Sequence, residues 1–275
     1  MGWRWQPLHW GLAESCRCGA RVVSSSASKS PALLGRVVVI TRPAGTAVAL
    51  AGRVRACGGV PLLLPGLSLR GATDGTGLRA AMRAALGDDV LVFTSPAAVR
   101  FAAALAPLRT KAVVLAVGQG TAQALRRHGV SAQAPSRQDS EGLLDLPAAQ
   151  ALRGRRVALV GAPGGRGVLR GQLAARGARL REVQVYRRVP PRLDSRHVDA
   201  VLALPRSARV LLSSAEALQN LVDLLPLPAL ARLRAAVAVT SSARLAQAAR
   251  TAGFARIVQA ESALAADLLR AAALR

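Results

Sequence analysis

The chain has 275 residues, 51% of them apolar, so it can form one large domain or two smaller ones with a sizeable core. With 15 prolines and 25 glycines, it lacks the composition of a collagen-like or disordered protein. No apolar run approaches the roughly 20 residues that cross a bilayer. We therefore expect a soluble globular protein without a membrane partner.

The net charge is +24, from 38 basic and 14 acidic residues. Lys29 and Lys111 are the only lysines, and the arginines are scattered rather than clustered. A basic excess favours an anionic partner, either nucleic acid or a small anion steered by the field of the protein. Aromatic residues make up only 3%, which leaves few rings for base stacking. We predict a small anionic ligand and no nucleic-acid partner.

Cysteines and histidines are few and dispersed. They are Cys16, Cys18, Cys57, His9, His128 and His197. This set forms neither a disulfide framework nor a four-ligand zinc site, so we expect no metal site. A reducing, cytoplasmic location is the simplest interpretation.

The N-terminal segment differs from the rest of the chain. It carries all three tryptophans and a serine-rich tract at Ser24–Ser30. It lacks the apolar core of about 7–15 residues that a secretory signal requires. We predict that residues 1–35 form a disordered N-terminal extension outside the fold.

From Arg36 onward, short apolar runs alternate with segments of helical periodicity. The predicted strands are Val37–Ile40, Val60–Leu64, Val90–Phe93, Ala112–Val117, Val130–Ala132, Arg156–Val160, Leu180–Tyr186, Val210–Leu212, Ala236–Val239 and Arg256–Val258. The predicted helices are Thr46–Ala56, Pro96–Leu105, Gly120–His128, Ser140–Leu152, Val168–Arg176, Ala215–Leu224, Ser242–Ala252 and Ser262–Ala273. This alternation predicts an α/β fold with parallel sheets covered on both faces.

The sequence also repeats itself. Arg36–Pro43 resembles Arg156–Pro163, and Val90–Ser95 resembles Arg209–Ser214, at an offset of about 120 residues. Two copies of one module predict two similar α/β lobes with a cleft between them.

Small polar residues follow many of the predicted strands, where open α/β sheets bind ligands. They are Thr41, Arg42, Thr94, Ser95, Gly118, Thr121, Gly161, Ser213, Ser214, Thr240 and Ser242. Helix capping alone explains any one of them. Together, six strand ends with exposed helix N–H groups favour bound carboxylates or phosphates.

Three further features have more than one interpretation. Tyr186, the only tyrosine, is either a half-buried aromatic or a proton donor in the cleft. Arg166 is either a solvated loop residue or a carboxylate ligand, as Arg42 could be. The turn Gly161–Gly167 resembles a dinucleotide-binding loop but misses the glycine spacing by one residue, and Arg187 stands where NAD binding requires an acidic residue. An NADP site is the alternative for that turn.

Over Arg36–Leu274 the sequence resembles the uroporphyrinogen-III synthase family. The matching strings are Val39–Pro43, Gly59–Pro65, Val92–Phe101, Ala116–Ala122 and Val185–Tyr186. The resemblance implies two α/β lobes joined by two extended linker strands. It places residues 36–66 and 190–275 in the first lobe and residues 67–189, with the linker strands, in the second.

The resemblance also implies an activity: cofactor-free cyclisation of hydroxymethylbilane, with inversion of its last pyrrole ring through a spiro intermediate and release of water. Tyr186 matches the family tyrosine that assists departure of the hydroxyl, and Thr121 matches a cleft threonine. We expect substrate contacts from Arg42, Thr94, Ser95, Gly118, Thr121, Gly161, Ser213, Ser214 and Ser242. We also expect transient contact with the enzyme that makes hydroxymethylbilane. The alternative is a two-lobed protein that binds or senses an anionic small molecule without catalysis.

Overall fold

A computed structural model describes residues 32–73, 75–137, 139–164 and 167–274. The chain divides into the units Met1–Ser30 and Pro31–Arg275, and the first of these lies outside the described residues. Leu33, which falls within the predicted N-terminal extension, is fully buried, and its N–H donates to the Cys57 carbonyl at 2.9 Å. The packed part of the chain therefore begins before Arg36.

Strands and helices alternate along most of the second unit. The strands are β1 (Val37–Ile40), β2 (Val60–Leu63), β3 (Ser68–Gly71), β4 (Val90–Phe93), β5 (Val113–Ala116), β6 (Arg156–Gly161), β7 (Arg179–Gln184), β8 (Tyr186–Val189), β9 (Arg209–Leu212), β10 (Val237–Thr240) and β11 (Arg256–Gln259). The helices are α1 (Ala44–Ala56), α2 (Gly75–Ala85), α3 (Pro96–Leu105), α4 (Gln119–Arg126), α5 (Ser140–Leu144), α6 (Val168–Ala175), α7 (Ser195–Leu202), α8 (Ala215–Leu224), α9 (Leu227–Arg234), α10 (Ala243–Thr251) and α11 (Ala265–Ala273).

Two parallel sheets organise the described residues. The sheet of the first lobe has the order β11-β10-β9-β1-β2, so it joins strands from both ends of the chain. The sheet of the second lobe has the order β5-β4-β6-β7. The central strands β4, β9 and β10 are buried along their whole length, as expected when helices cover both faces of a parallel sheet.

A two-stranded antiparallel ribbon, β3 with β8, joins the two sheets. The chain leaves the first sheet after β2 to form β3, and it returns from the second sheet through β8. Leu69 pairs with Arg188 in the ribbon, and Gly71 pairs with Tyr186. The predicted fold class, two parallel-sheet α/β lobes joined by two extended strands, is therefore confirmed.

Each sheet has a hydrophobic cluster on either face, because successive residues of a strand point to opposite sides. In the first lobe, Val38 and Ile40 pack with α1 and α11, whereas Val39 packs with α8 and α9 on the other face. In the second lobe, Leu91 and Phe93 belong to the cluster that also contains Tyr186. The ribbon tyrosine is thus anchored in the core of the second lobe.

Some predicted elements differ from the observed ones. The predicted helix Ser140–Leu152 is wrong beyond Leu144, because Pro147 cannot continue an α-helix and a single 3-10 turn, Pro147–Ala149, replaces it. The predicted strand Val130–Ala132 is also wrong, since only a single bridge, Leu115 to Gln133, forms nearby. Five elements were not predicted as separate units: β3, α2, β8, α7 and α9.

Candidate active site

Helix caps occupy the carboxyl ends of several strands, as the sequence suggested. Ser95 begins α3, Ser214 begins α8 and Ser242 begins α10. Each serine oxygen accepts a hydrogen bond from a backbone N–H in the first turn of its helix, at 3.0, 3.2 and 3.3 Å respectively. A hydroxyl that accepts in this way retains its own O–H for donation. The caps are therefore structural and also able to bind an anionic oxygen.

The largest cavity near these caps lies between the two lobes and measures about 880 Å³. Six of the predicted site residues line this interlobe cavity: Arg42, Ser95, Tyr186, Ser213, Ser214 and Ser242. Leu67 and Leu69 of the ribbon segment also line it, as does Arg244 in the first turn of α10. The cavity thus joins hydroxyls from both lobes with cations of the first lobe.

A second cavity of about 410 Å³ lies beyond the carboxyl ends of the second sheet. This second-lobe cavity is lined by the predicted residues Thr94, Ser95, Gly161 and Tyr186. Ser95, Tyr186 and Arg188 line both cavities, so the two spaces meet at these three side chains. The two cavities therefore share part of their walls.

Tyr186 is the most constrained of the three junction residues. Only 4% of it is exposed, and its ring stacks on Phe101 with centroids 5.4 Å apart and planes inclined by 14°. Its hydroxyl lies 3.1 Å from Oγ of Ser95. Packing fixes the ring and the hydrogen bond fixes its polar tip, which is the usual arrangement of a buried tyrosine. The phenol is therefore held in one orientation at the meeting point of the cavities.

Gly161 ends β6 directly beside Thr94. An added Cβ at Gly161 would lie 2.4 Å from Oγ1 of Thr94, a distance that leaves no room for a side chain. Oγ1 of Thr94 donates to the Val160 carbonyl at 3.3 Å. The glycine therefore allows the two strand ends to approach each other at the wall of the second-lobe cavity.

Arg42 extends from the end of β1 into the interlobe cavity. Its Nη2 donates to the Ala263 carbonyl at 2.7 Å. Burial lowers the pKa of Arg42 from its usual value, and the positive charge of Arg53 lowers it further. An anion bound beside Arg42 would offset both effects, so the charge of this guanidinium favours an anionic ligand.

Two of the nine predicted substrate contacts line neither cavity. Gly118 is the N-cap of α4, and Thr121 is buried in the first turn of that helix, 3% exposed. Their predicted substrate contacts stay predictions. Arg166, the other candidate carboxylate ligand, lies outside the described residues.

Sequence reasoning missed Arg188 and Arg244. The signal for Arg188 was its position two residues after Tyr186, because alternate residues of a strand share a face. Within the described residues, no cluster of three or more His, Cys, Asp or Glu could hold a metal ion. In the same part of the chain, no helix is both long enough and apolar enough to cross a membrane.

Comparison with known proteins identifies the family. Residues 48–270 match the family model described as uroporphyrinogen-III synthase HemD. The chain is 32% identical to the uroporphyrinogen-III synthase of Escherichia coli over 205 residues, which cover 69% of this chain and 80% of that protein. The Salmonella typhimurium synthase is also 32% identical, over 199 residues and with the same coverage.

Solved structures share the fold. A uroporphyrinogen III synthase mutant from Thermus thermophilus superposes with a TM-score of 0.53 at 23% identity, covering 86% of this chain and 96% of that one. The Helicobacter pylori uroporphyrinogen-III synthetase gives 0.57 at 15% identity, covering 86% and 97%. These two likenesses concern the fold alone. The family match along most of the sequence, together with the 32% identity to two synthases, shows that the chain belongs to the uroporphyrinogen-III synthase family.

Proposed function

We propose that this chain carries out the reaction of its family, the cyclisation of hydroxymethylbilane to uroporphyrinogen III with inversion of the last pyrrole ring. The observation that carries the proposal is the position of Tyr186, buried at the junction of two cavities with its hydroxyl 3.1 Å from Ser95. Helix N-termini and serine hydroxyls surround this junction. They suit a substrate that carries eight carboxylates.

We assign Tyr186 as the general acid. Tyr186 donates its proton to the terminal hydroxyl of the substrate. The C–O bond then breaks, water departs, and an azafulvene cation remains. The substituted α-carbon of the last ring then attacks this cation and forms a C–C bond to a spiro centre. In the spiro intermediate, the bond from the substituted α-carbon to its original methylene bridge breaks, which leaves an azafulvene cation on the preceding ring. The unsubstituted α-carbon of the last ring attacks that cation and completes the inversion. The ring proton that is lost at the end restores the phenol, so the net change is loss of one water.

The remaining site residues position the substrate. Uncatalysed closure gives the product without inversion, so the enzyme must hold a flexible chain in the less accessible geometry. Arg42, Ser213, Ser214 and Ser242 supply donors from the first lobe, whereas Thr94, Ser95 and Gly161 bring the second lobe to the same junction. We propose that these residues bind acetate and propionate groups. A substrate bound by donors on both sheets would keep its two ends within reach of each other.

We further propose boundaries for the lobes, residues 36–66 and 190–275 for the first, with Leu33 packed against it, and 67–189 for the second. The strand membership of the two sheets supports these boundaries. The chain works in the cytoplasm and receives its substrate in transient contact with the enzyme that makes hydroxymethylbilane. Spontaneous closure of the free substrate favours such direct delivery.

Some of the arginines have a structural role. Arg36 and Arg209 donate to backbone carbonyls at the end of α11, and Arg176 donates to the Leu144 and Ala149 carbonyls. Arginines suit such positions, because the carboxyl ends of helices carry partial negative charge. These three arginines therefore stabilise the fold in addition to contributing to the net charge.

The experiment that tests the proposed function is an assay of product isomers. Hydroxymethylbilane is generated in situ by its producing enzyme, with and without the purified chain, and the oxidised porphyrins are separated into isomers I and III. We expect isomer III to dominate when the chain is present and isomer I when it is absent. Isomer I alone, from a chain that melts cooperatively, would contradict the proposal and favour a non-catalytic anion-binding protein.

A further inference from the structure

Arg188 stands out among the side chains at the junction of the two cavities. It lies on β8 two residues after Tyr186, and it lines both the interlobe and the second-lobe cavity. Leu69, its partner across the ribbon, also lines the interlobe cavity. Residues that face each other in an antiparallel pair share a side of the ribbon, so the cavity side of β8 presents Tyr186 and Arg188 together.

Among the described residues, Arg188 and Arg244 are the cavity-lining arginines that make no ion pair and no hydrogen bond to the protein, and of these two only Arg188 lines both cavities. Arg170, in the second-lobe cavity, has Nη1 3.4 Å from Glu182 Oε1, and Arg42 donates to the Ala263 carbonyl. Within the described residues, Arg188 makes no ion pair and no hydrogen bond to the protein, and its side chain is exposed. The junction therefore carries a guanidinium whose donors are all available to a ligand.

We propose that Arg188 binds a carboxylate of the substrate and thereby places the departing hydroxyl at Tyr186. This inference rests on the proposed function and adds a substrate-binding residue to it. A guanidinium holds a carboxylate through two parallel hydrogen bonds, which fixes direction as well as distance. Two positions along a strand span roughly 6.6 Å. That span suits a pyrrole whose hydroxymethyl group and nearest carboxylate are carried by adjacent ring carbons.

The location in the ribbon gives this contact a second consequence. Because β8 is one of the two connections between the lobes, a carboxylate held there lies between the two sheets. A substrate that occupied both cavities would lie beside Arg188, because this side chain lines both of them. Losing the contact should weaken binding and also loosen the geometry that selects the inverted product.

The chain offers a matched control in Arg187. It is the preceding residue of the same strand, it is also exposed, and it lines neither cavity. It pairs with Arg70 on the other side of the ribbon. Arg187→Gln and Arg188→Gln therefore remove the same charge from the same strand but from opposite faces.

The test compares KM, kcat and the fraction of isomer III for the wild type and for Arg187→Gln, Arg188→Gln and Arg188→Lys. We expect Arg188→Gln to raise KM about 10- to 100-fold, as for a lost hydrogen bond to a charged group. We expect it also to lower the fraction of isomer III, because spontaneous closure then competes. Arg188→Lys should recover part of the affinity, since it restores charge without the paired donors. Arg187→Gln should match the wild type.

Equal effects of Arg187→Gln and Arg188→Gln would overturn the proposal, because they would show a response to net charge alone. No effect of Arg188→Gln on KM would overturn it as well. These outcomes differ from a failure of the proposed function itself, because in that case the wild type would form no isomer III. If Arg188→Gln does not fold, the affinity of Arg188→Lys tests the proposal instead. This affinity is measured by fluorescence with uroporphyrin III, which carries eight carboxylates. An affinity equal to that of the wild type would contradict the paired contact.

Discussion

The contact between Gly161 and Thr94 makes a sharp prediction about stability at the cavity wall. In Gly161→Ala, the new Cβ would lie 2.4 Å from Oγ1 of Thr94, 3.4 Å from its Cγ2 and 3.5 Å from its Cβ. Only the first distance is impossible without movement. Thr94 would have to rotate and give up the hydrogen bond from Oγ1 to the Val160 carbonyl.

The size of the expected loss in unfolding free energy follows from the contact with the Thr94 side chain. Forcing one extra carbon into a packed site costs about 1–3 kcal/mol of unfolding free energy. Thr94→Ala removes Oγ1 and Cγ2, and leaves an ordinary contact at 3.5 Å. In that background, Gly161→Ala should be neutral or stabilising by about 0.4–1 kcal/mol, because alanine restricts the unfolded chain. The two substitutions should therefore be non-additive, with the double variant more stable than the sum predicts.

Urea unfolding of the wild type, both single variants and the double variant measures this coupling. Gly171→Ala is the control: Gly171 lies in α6 with no neighbouring atom within 4 Å of an added Cβ, so the substitution should stabilise the helix by about 0.5–1 kcal/mol. An equal cost of Gly161→Ala with and without the Thr94 side chain would refute the reasoning.

Two further substitutions test how the first lobe is held together, each by the free energy of unfolding in urea. Gly66→Ala should cost more than Gly161→Ala, because its Cβ would lie 2.4 Å from the backbone carbonyl oxygen of Ala217, which cannot rotate away; a smaller cost would contradict this. Arg209→Met should cost at least about 2 kcal/mol, since the buried guanidinium donates to the carbonyls of Ala272 and Leu274 at the end of α11. Arg209→Lys should recover only part of that loss, and full recovery would show that charge alone matters.

The sequence was sufficient for the elements whose signal is local. Strand β4 is an uninterrupted apolar run, and β10 is apolar up to its last residue, Thr240. Their burial follows from that pattern. β3 has the sequence Ser-Leu-Arg-Gly and becomes a strand only by pairing with β8, far away in the chain. Helix α7 did have a local signal: Asp194 accepts from the His197 N–H in a capping box, with histidine in the place usual for glutamate.

The candidate site shows the same division. Ser95, Ser214 and Ser242 were predictable because a hydroxyl between an apolar run and a helix is both a cap and a donor. Arg188 was predictable only in part: its position two residues after Tyr186 puts both side chains on one face of a strand, but the register of the ribbon decides that this face meets the cavities. The break between β7 and β8 was hidden for a similar reason, since the apolar pattern continues through Val185 while the chain moves from sheet to ribbon.

The most direct test of the account is the rate of isomer III formation by Tyr186→Phe beside the wild type. The variant retains the ring that stacks on Phe101 and loses one hydrogen bond, so its stability should fall by only about 1 kcal/mol. We predict a rate about 10²- to 10⁴-fold lower, the usual contribution of a positioned acid, with affinity for the product retained. A variant that is as fast as the wild type would contradict the role of Tyr186 as the proton donor.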